Sequence, residues 1–204
     1  MTHTHRFLAM GLLLTLACST FGQFGAPGSK TAVAMMPEVQ KELRLTKQQT
    51  KALSTAMYST SAQAQNDPSS MMGGADFMSG MNERIDANAL TTLDDSQRKR
   101  LGELWAQYEG PGIWTLKPIA DQLNLTEDQR TKAAELVKKC AEDETDMMMH
   151  MSRRIGGGKH VQDDMKKLIA TRNTELVALL TPDQDKTWTE MQGKPFKFKN
   201  PKVM

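Results

Sequence analysis

The chain has 204 residues, of which 26 are Lys or Arg and 24 are Asp or Glu, so its formal net charge at pH 7 is +2. This near balance argues against nucleic acid as a main partner, because nucleic-acid-binding proteins carry an excess of clustered positive charge. Aromatic residues make up only 5% of the chain, whereas 16 residues are methionine.

Residues 1–22 have the features of a secretory signal peptide. Arg6 supplies positive charge, and the apolar run from Phe7 to Ala17 that follows it is too short to span a bilayer. Thr20 and Gly22 suit cleavage after residue 22. Because no later stretch is apolar enough to cross a membrane, we expect an exported, periplasmic protein without a membrane span.

The alternative for this segment is a lipoprotein that is lipidated at Cys18, although the three preceding residues match such a site poorly. A chain that begins at Gln23 keeps one cysteine, Cys140, which excludes a disulfide-bonded scaffold. Cys140 follows Ala133 and Val137 at helical spacing. We therefore expect it to be a small buried residue, with pairing to another molecule as the alternative.

Changes in composition divide the rest of the chain. Residues 23–36 are rich in Gly, Pro, Ser and Ala, and they are predicted to form a flexible leader. Gly110-Pro111-Gly112 then separates a first helical unit, residues 37–109, from a second, residues 117–193. The basic tail, residues 194–204, alternates Lys with Phe, and it is either a disordered arm or a strap that lies on the body.

Four short motifs indicate helix starts. In Leu125-Thr126-Glu127-Asp128-Gln129, the Thr hydroxyl can accept from a backbone N–H one turn into the helix, and the Gln side chain can reach back to the N–H of the cap. This arrangement is a capping box. Motifs of the same form begin at Leu45, Leu93 and Leu180. The residues predicted to cap the four helices are Thr46, Gln49, Asp94, Gln97, Thr126, Gln129, Thr181 and Gln184.

The order of these motifs predicts a tandem duplication of a unit of about 80 residues, in which each unit has an early and a late motif. The alternative is four ordinary capped helices without a common origin, since few other residues match between the two halves. The matches at this offset are Leu43, Leu45, Thr46 and Gln49 with Leu123, Leu125, Thr126 and Gln129.

The early motif at 123–129 and the late motif at 180–184 together resemble the LTxxQ-motif periplasmic proteins, the Spy- and CpxP-like chaperones and stress-response adaptors. The likeness covers residues 117–193 well and residues 37–109 loosely. It implies a cradle-shaped all-α fold, which two protomers build in that family. It also implies a chaperone or envelope-stress protein that holds unfolded or partly folded envelope proteins without ATP.

Hydrophobic periodicity agrees with an all-α fold. Helices are predicted from Thr46 to about Gln65, through Phe77, Met81, Ile85 and Ala89, after Asp94, from Glu127 to Ile155, and on both sides of Thr181. There is no substantial β-strand signal. We therefore expect two Spy-like helical hairpin units with short flanking helices, arranged in an elongated or cradle-shaped molecule.

Methionine is the unusual feature of the composition. Since Met1 and Met10 precede Gln23, fourteen of the sixteen methionines follow it, and they cluster near the predicted hairpin tips. Flexible, polarizable Met side chains can bind varied apolar partners. Core filling is the alternative, but the successive residues Met147, Met148 and Met149 cannot all face one core of a helical protein. The candidates for client binding are Met71, Met72, Met78, Met81, Met147, Met148 and Met151.

A second interpretation of one cluster is copper. Met147, His150 and Met151 share a helical face, and thioether and imidazole ligands suit Cu(I). The alternative function is therefore a periplasmic copper-binding or metal-sensing protein, which relatives in the same broad family also resemble. A structural adaptor with one dedicated partner is a third. We expect no enzyme, because the usual hydrolase and metalloprotease motifs are missing.

The apparent duplication bears on assembly. Joining two units through Gly110-Pro111-Gly112 makes their pairing intramolecular, at an effective concentration on the order of millimolar. We therefore predict a monomer with an internal pseudo-dimer, in which the long helices of the two halves face each other. Dimerisation through an exposed Met patch is the alternative.

Overall fold

The structure is a computed structural model that describes residues 28–65, 74–152 and 158–199. Within these ranges every regular element is helical and no strand occurs, which confirms the all-α class. Short 3-10 helices lie at Leu90–Thr92 and Gly110–Thr115. The α-helices are α1 (Lys30–Ala34), α2 (Pro37–Glu42), α3 (Lys47–Gln65), α4 (Gly74–Ala89), α5 (Asp95–Glu109), α6 (Lys117–Gln122), α7 (Glu127–Ser152), α8 (Gly158–Val177) and α9 (Pro182–Gln192).

The four helices that follow the capping motifs begin one residue after the cap. They are α3, α5, α7 and α9. The helix starts therefore coincide with those expected from the sequence, since the side chains that satisfy the first N–H groups are local. The end expected for α7 at Ile155 lies outside the described residues.

The backbone that leads into the two early motifs repeats at an offset of 80 residues. Helices α2 and α6 are equally long, and each is followed by a residue in the left-handed region, Arg44 with φ 51° and Asn124 with φ 50°. In both turns the next leucine N–H donates over 3.0 Å, from Leu45 to the carbonyl of Gln40 and from Leu125 to the carbonyl of Ala120. The two turns therefore have the same local geometry, although most of their side chains differ.

Consecutive helices pack in the same way in both halves, with α3 against α4 and α7 against α8. The largest direct contact between the halves is between α5 and α9, the helices that follow the late motifs. Helices α3 and α7 make at most a small contact. The long helices of the two halves are therefore not the main interface between them, contrary to the expected internal pairing.

The Gly110-Pro111-Gly112 segment is not an exposed linker. It belongs to the 3-10 helix Gly110–Thr115, which contacts α5, α6, α7 and α8. The Trp114 ring is buried edge-on against Trp188 of α9, with ring centroids 5.4 Å apart at 87°. This segment places the side chains of Ile113 and Trp114 in the middle of the fold. The resulting core joins both halves and includes Leu53, Leu101, Leu104, Ile113, Trp114, Ala133, Leu176 and Trp188.

The flexible leader expected over residues 23–36 is wrong for its described part. Ser29 caps α1 by accepting from the N–H of Ala32 over 3.0 Å, and Thr31, Val33 and Ala34 of this helix are buried. The indole N–H of Trp105 donates to the carbonyl of Gly28 over 2.7 Å. Residues 23–27 lie outside the described ranges.

Asp86 of α4 explains why this segment folds. Its carboxylate accepts from the backbone N–H groups of Lys30 and Thr31, both over 2.9 Å, and from the Thr31 hydroxyl over 2.8 Å. Burial raises the pKa of Asp86, against the opposing effect of the hydrogen bonds from Thr31. The partner that orders the leader is therefore 55 residues away from Thr31 in sequence, which explains why its composition was misleading.

Of the two alternatives for the basic tail, the structure shows the strap over its described part. Helix α9 ends at Gln192, and the chain from Lys194 to Lys199 lies against the body. The Phe198 side chain is buried, and its ring centroid is 5.2 Å from that of Tyr108. Residues 200–204 lie outside the described ranges.

Candidate functional site

The early and late motifs of the second half meet through their glutamines. The Nε2 of Gln129 donates to the Oε1 of Gln184 over 2.8 Å, and the Nε2 of Gln184 donates to the Oε1 of Gln129 over 3.0 Å. We call these two residues the second glutamine pair. It joins the start of α7 to the start of α9, which brings residues 55 positions apart into direct contact.

Each of these glutamines is also part of a capping box. The Oγ1 of Thr126 accepts from the N–H of Gln129 over 3.2 Å, and the Oε1 of Gln129 accepts from the N–H of Thr126 over 2.9 Å. Thr181 and Gln184 make the corresponding bonds over 3.3 and 3.0 Å. The same side chain therefore closes a helix start and binds the other motif.

The remaining amide donors are used on the facing turns. The Nε2 of Gln129 donates to the carbonyl of Leu179 over 2.7 Å, and that of Gln184 donates to the carbonyl of Asn124 over 3.0 Å. Each side-chain amide therefore donates twice and accepts twice, which is its full capacity. A fully satisfied, partly buried network of this kind fixes the distance between the two turns.

The first half contains a looser version of the same arrangement, the first glutamine pair. The Nε2 of Gln49 donates to the Oε1 of Gln97 over 2.8 Å, but the return bond is 3.5 Å long. The second donors reach the carbonyls of Thr92 over 3.0 Å and Leu43 over 3.1 Å. Gln49 and Gln97 also close capping boxes, with Thr46 and Asp94 respectively.

Sequence reasoning found the eight capping residues but not the pairing of their glutamines. The signal was available, because each half carries an early and a late motif and each motif ends in a glutamine with a spare amide group. Its meaning depends on the tertiary fold, which decides whether two helix starts come within hydrogen-bonding distance. In each half the motifs therefore join two helix starts to each other, as well as capping each of them.

The methionines proposed for client binding differ in their positions. Met149, beside these candidates on α7, is 52% exposed, and Met147 is partly exposed. Both lie in the last turns of α7, far along the helix from the second glutamine pair. The candidates whose side chains lie outside the described part of the chain are Met71, Met72, Met78, Met148 and Met151.

Met81 is not a surface residue, which corrects its assignment to the client surface. Its side chain is only 9% exposed, and it lies on α4 four residues before Ile85, which is 3% exposed. Ala89 continues the same buried stripe. The i, i+4 spacing that predicts this helix also turns Met81 towards the interior, where it fills space as an ordinary core residue.

Among the side chains that the structure describes, two other large apolar ones are exposed, and sequence reasoning missed both. Tyr58 of α3 is 53% exposed and Val177 at the end of α8 is 41% exposed. Neither belongs to a cluster that composition alone would single out. Tyr58 lies in the later half of the helix that follows the first early motif, as Met149 does in the second half.

The copper site expected at Met147, His150 and Met151 is only partly described. Met147 is partly exposed, and the side chains of the other two lie outside the described residues. In the described part of the chain, His, Cys, Asp and Glu side chains form no group of three or more that could hold a metal ion.

Cys140 is buried on α7, as expected for a small residue of an apolar stripe. It also has a polar partner that the sequence did not indicate, since its Sγ donates to Glu144 Oε1 over 3.5 Å. Burial raises the pKa of the Cys140 thiol to about 11, while the nearby charge of Arg172 acts in the opposite direction. At neutral pH this thiol is therefore protonated and a poor nucleophile.

Two surface depressions lie on α7 or beside it. One is lined by Lys138, Ala141, Glu142, Thr145 and Asp146, which all belong to one face of α7. A single helix face cannot surround a ligand. The second depression lies between the first turns of α7, the end of the 3-10 helix Gly110–Thr115, and α6.

None of the helices in the described ranges combines the length and the apolar character that crossing a membrane requires. Comparison of the chain with protein-family models, with curated proteins and with solved structures gave no match.

Proposed function

We propose that this protein is an exported, ATP-independent chaperone or envelope-stress protein of the LTxxQ-motif type, which binds unfolded or partly folded envelope proteins in the periplasm. The binding surface is the methionine-rich end of its helical pairs. The proposal draws on the signal-peptide features of residues 1–22, on the paired motifs, and on the apolar side chains that α7 exposes. No catalytic group is assigned.

The observation that carries the proposal is the position of Met149. About half of this large apolar side chain is exposed, on a helix whose other end is held by the second glutamine pair. Met149 lies 23 residues after the Thr126 cap, which corresponds to roughly 34 Å along the helix axis. The helix thus presents apolar surface to solvent on a rigid support.

Such a surface suits unfolded chains for two physical reasons. Flexible thioether side chains adapt to apolar segments of different shape, so binding does not require one sequence. A preformed helical support loses little conformational entropy when it binds, which leaves more of the apolar contact energy for affinity. A holding function of this kind requires no nucleotide.

The test is an aggregation assay with a chemically denatured client and no nucleotide, using the chain that begins at Gln23. We expect the protein to suppress light scattering at a molar ratio near one. The double variant Met147→Ser, Met149→Ser should require several-fold more protein for the same suppression, because it replaces the partly exposed and the exposed Met side chain in the last turns of α7.

Val177→Ser is the matched control. Val177 is also an exposed apolar residue, but it lies at the other end of its hairpin, two residues before the carbonyl that Gln129 binds. We expect this variant to suppress aggregation as the unchanged protein does. Failure of the unchanged protein to hold the client, or equal losses in the Met and Val variants, would contradict the proposal.

A further inference from the structure

The tail is held on the body through its backbone. The carbonyl of Lys194 accepts from the Nη1 of Arg100 over 2.8 Å and from the Nε2 of Gln107 over 2.9 Å. The N–H of Phe196 donates to the Oε1 of Gln107 over 2.8 Å, and the N–H of Lys199 donates to Glu38 Oε1 over 3.1 Å. These contacts therefore do not depend on the lysine charges of the tail.

Gln107 has a special place among these partners. Its single side-chain amide binds three backbone groups, the carbonyl of Gln192 at the end of α9 and, in the tail, the carbonyl of Lys194 and the N–H of Phe196. Any residue at position 194 can present the carbonyl, and any residue except proline at position 196 can present the N–H. Recognition through main-chain hydrogen bonds gives affinity for a peptide without specifying its sequence.

Among the described tail side chains, Phe198 is buried and Phe196 is partly buried. Phe198 is 7% exposed and packs edge-on against Tyr108 at 61°, while Phe196 packs against Phe198 with ring centroids 4.9 Å apart at 77°. Lys197, between them, is exposed. Edge-on aromatic pairs of this geometry stabilise a packed segment beyond the area that they bury. The tail therefore binds as a backbone with an aromatic ring at every second position.

We propose that Glu38, Arg100, Gln107 and Tyr108 form a peptide-binding seat, which we call the tail seat. It takes segments of unfolded polypeptide that carry aromatic residues at alternate positions, and the chain's own tail occupies it until such a segment displaces it. The inference rests on the proposed function, because it names a segment of client that the protein would recognise. It adds a site on α2 and α5, separate from the methionines of α7.

The backbone at Gly193 sets the direction in which the tail leaves α9. Gly193 has φ 59°, in the left-handed region that favours glycine, and the Glu103 side chain lies beside it. Because the tail is joined to its seat, its effective concentration is on the order of millimolar, so weakly bound segments do not displace it.

The test measures binding of labelled heptapeptides by fluorescence anisotropy to the chain that begins at Gln23. One peptide has the sequence of residues 193–199, a second has serine in place of each lysine, and a third has serine in place of each phenylalanine. Phe198→Ala should loosen the tail because it removes a buried ring. Gly193→Ala should loosen it because alanine is strained at the positive φ where the tail leaves α9. Lys197→Ala is the matched control, since this side chain is exposed.

We expect the first two peptides to bind both loosened variants about tenfold or more tightly than they bind the unchanged protein or Lys197→Ala, because the intramolecular competitor is gone. The third peptide should not bind. Adding Gln107→Ala to Phe198→Ala should abolish the gain. Circular dichroism identifies a loosened variant that does not fold, and the other variant then decides.

Equal affinity of the peptides for the unchanged and loosened proteins would overturn the inference. Binding that requires the lysines would also overturn it, since the seat would then recognise charge. These outcomes are independent of the aggregation assay. Peptide binding by the loosened variants without client holding would refute the proposed chaperone function and leave the tail seat intact.

Discussion

At the scale of single residues, Cys140 shows how burial changes the chemistry of a lone thiol. Its side chain is 3% exposed, and the Sγ donates to Glu144. Burial raises the pKa of Cys140 to about 11, so almost no thiolate forms near neutral pH. The thiolate is the reactive species in disulfide exchange, and this environment therefore protects the cysteine from pairing with other molecules.

We predict that Cys140 reacts slowly with Ellman's reagent in the folded protein. With a pKa of about 11, its thiolate fraction at pH 8 is roughly two orders of magnitude below that of an ordinary cysteine. The measurement compares reaction rates at pH 8 with and without denaturant, in the chain that begins at Gln23, where Cys140 is the only cysteine. A folded-state rate as fast as the denatured one would contradict the prediction.

The same pKa determines how stability depends on pH. The folded-state pKa lies above the unfolded one, so the folded state binds more protons between the two values. Cys140 therefore contributes stability below the unfolded pKa, and this contribution is lost as pH rises towards about 11. Cys140→Ala should show a smaller fall in denaturation midpoint over this alkaline range than the unchanged protein.

At the scale of elements, the glutamine pairs join helix starts that are far apart in sequence. In the second pair each amide uses both donors and both acceptors, through a capping box, the partner glutamine and a carbonyl of the facing turn. In the first pair one of the two reciprocal bonds is 3.5 Å long. The second half should therefore depend more strongly on its glutamines.

We predict that Gln129→Ala and Gln184→Ala each lower the free energy of unfolding by about 1–2 kcal/mol, because each change removes a cap and leaves polar groups of the other motif without a partner. The double variant should lose about 0.5–1 kcal/mol less than the sum of the two, since the first change already breaks the shared bonds. Urea denaturation of all four proteins gives this coupling.

The corresponding cycle on Gln49 and Gln97 is the matched control. The coupling between Gln49 and Gln97 should be smaller, because one of their two reciprocal hydrogen bonds is 3.5 Å long and therefore weak. Strictly additive losses at Gln129 and Gln184 would show that the two motifs cap their helices without joining them.

At the scale of the whole molecule, the two halves share one hydrophobic core. The 3-10 helix Gly110–Thr115 lies between them, and its Trp114 packs on Trp188 from the second half. Helices α5 and α9 make the largest direct contact between the halves. Each half alone would therefore expose apolar surface to solvent, whereas the two halves together bury that surface.

We predict that the chain that begins at Gln23 is a monomer at micromolar concentration, since the pairing of its halves is already intramolecular. Light scattering combined with small-angle scattering should give the mass of one chain and dimensions that agree with packed halves. A stable dimer mass would refute the prediction. The exposed Met149 is then the first position to test, with Met149→Ser expected to dissociate such a dimer.

The amino-acid sequence by itself determined the helix starts and the all-α class. Thr126 and Gln129 close a capping box within one turn, and the turn from Asn124 to Leu125 repeats the turn from Arg44 to Leu45. These features depend on neighbours within a few residues. Local hydrogen bonds and side-chain spacing are therefore sufficient to predict them.

The tertiary structure alone decided which surfaces are covered. Leader residues are ordered because Asp86 is positioned to accept from the N–H groups of Lys30 and Thr31, and Met81 is buried because its stripe faces the interior. The tail is a strap because Gln107 and Tyr108 lie where it passes. Burial and polar partners are contributed by residues distant in sequence, so the composition of a segment does not reveal whether the fold will cover it.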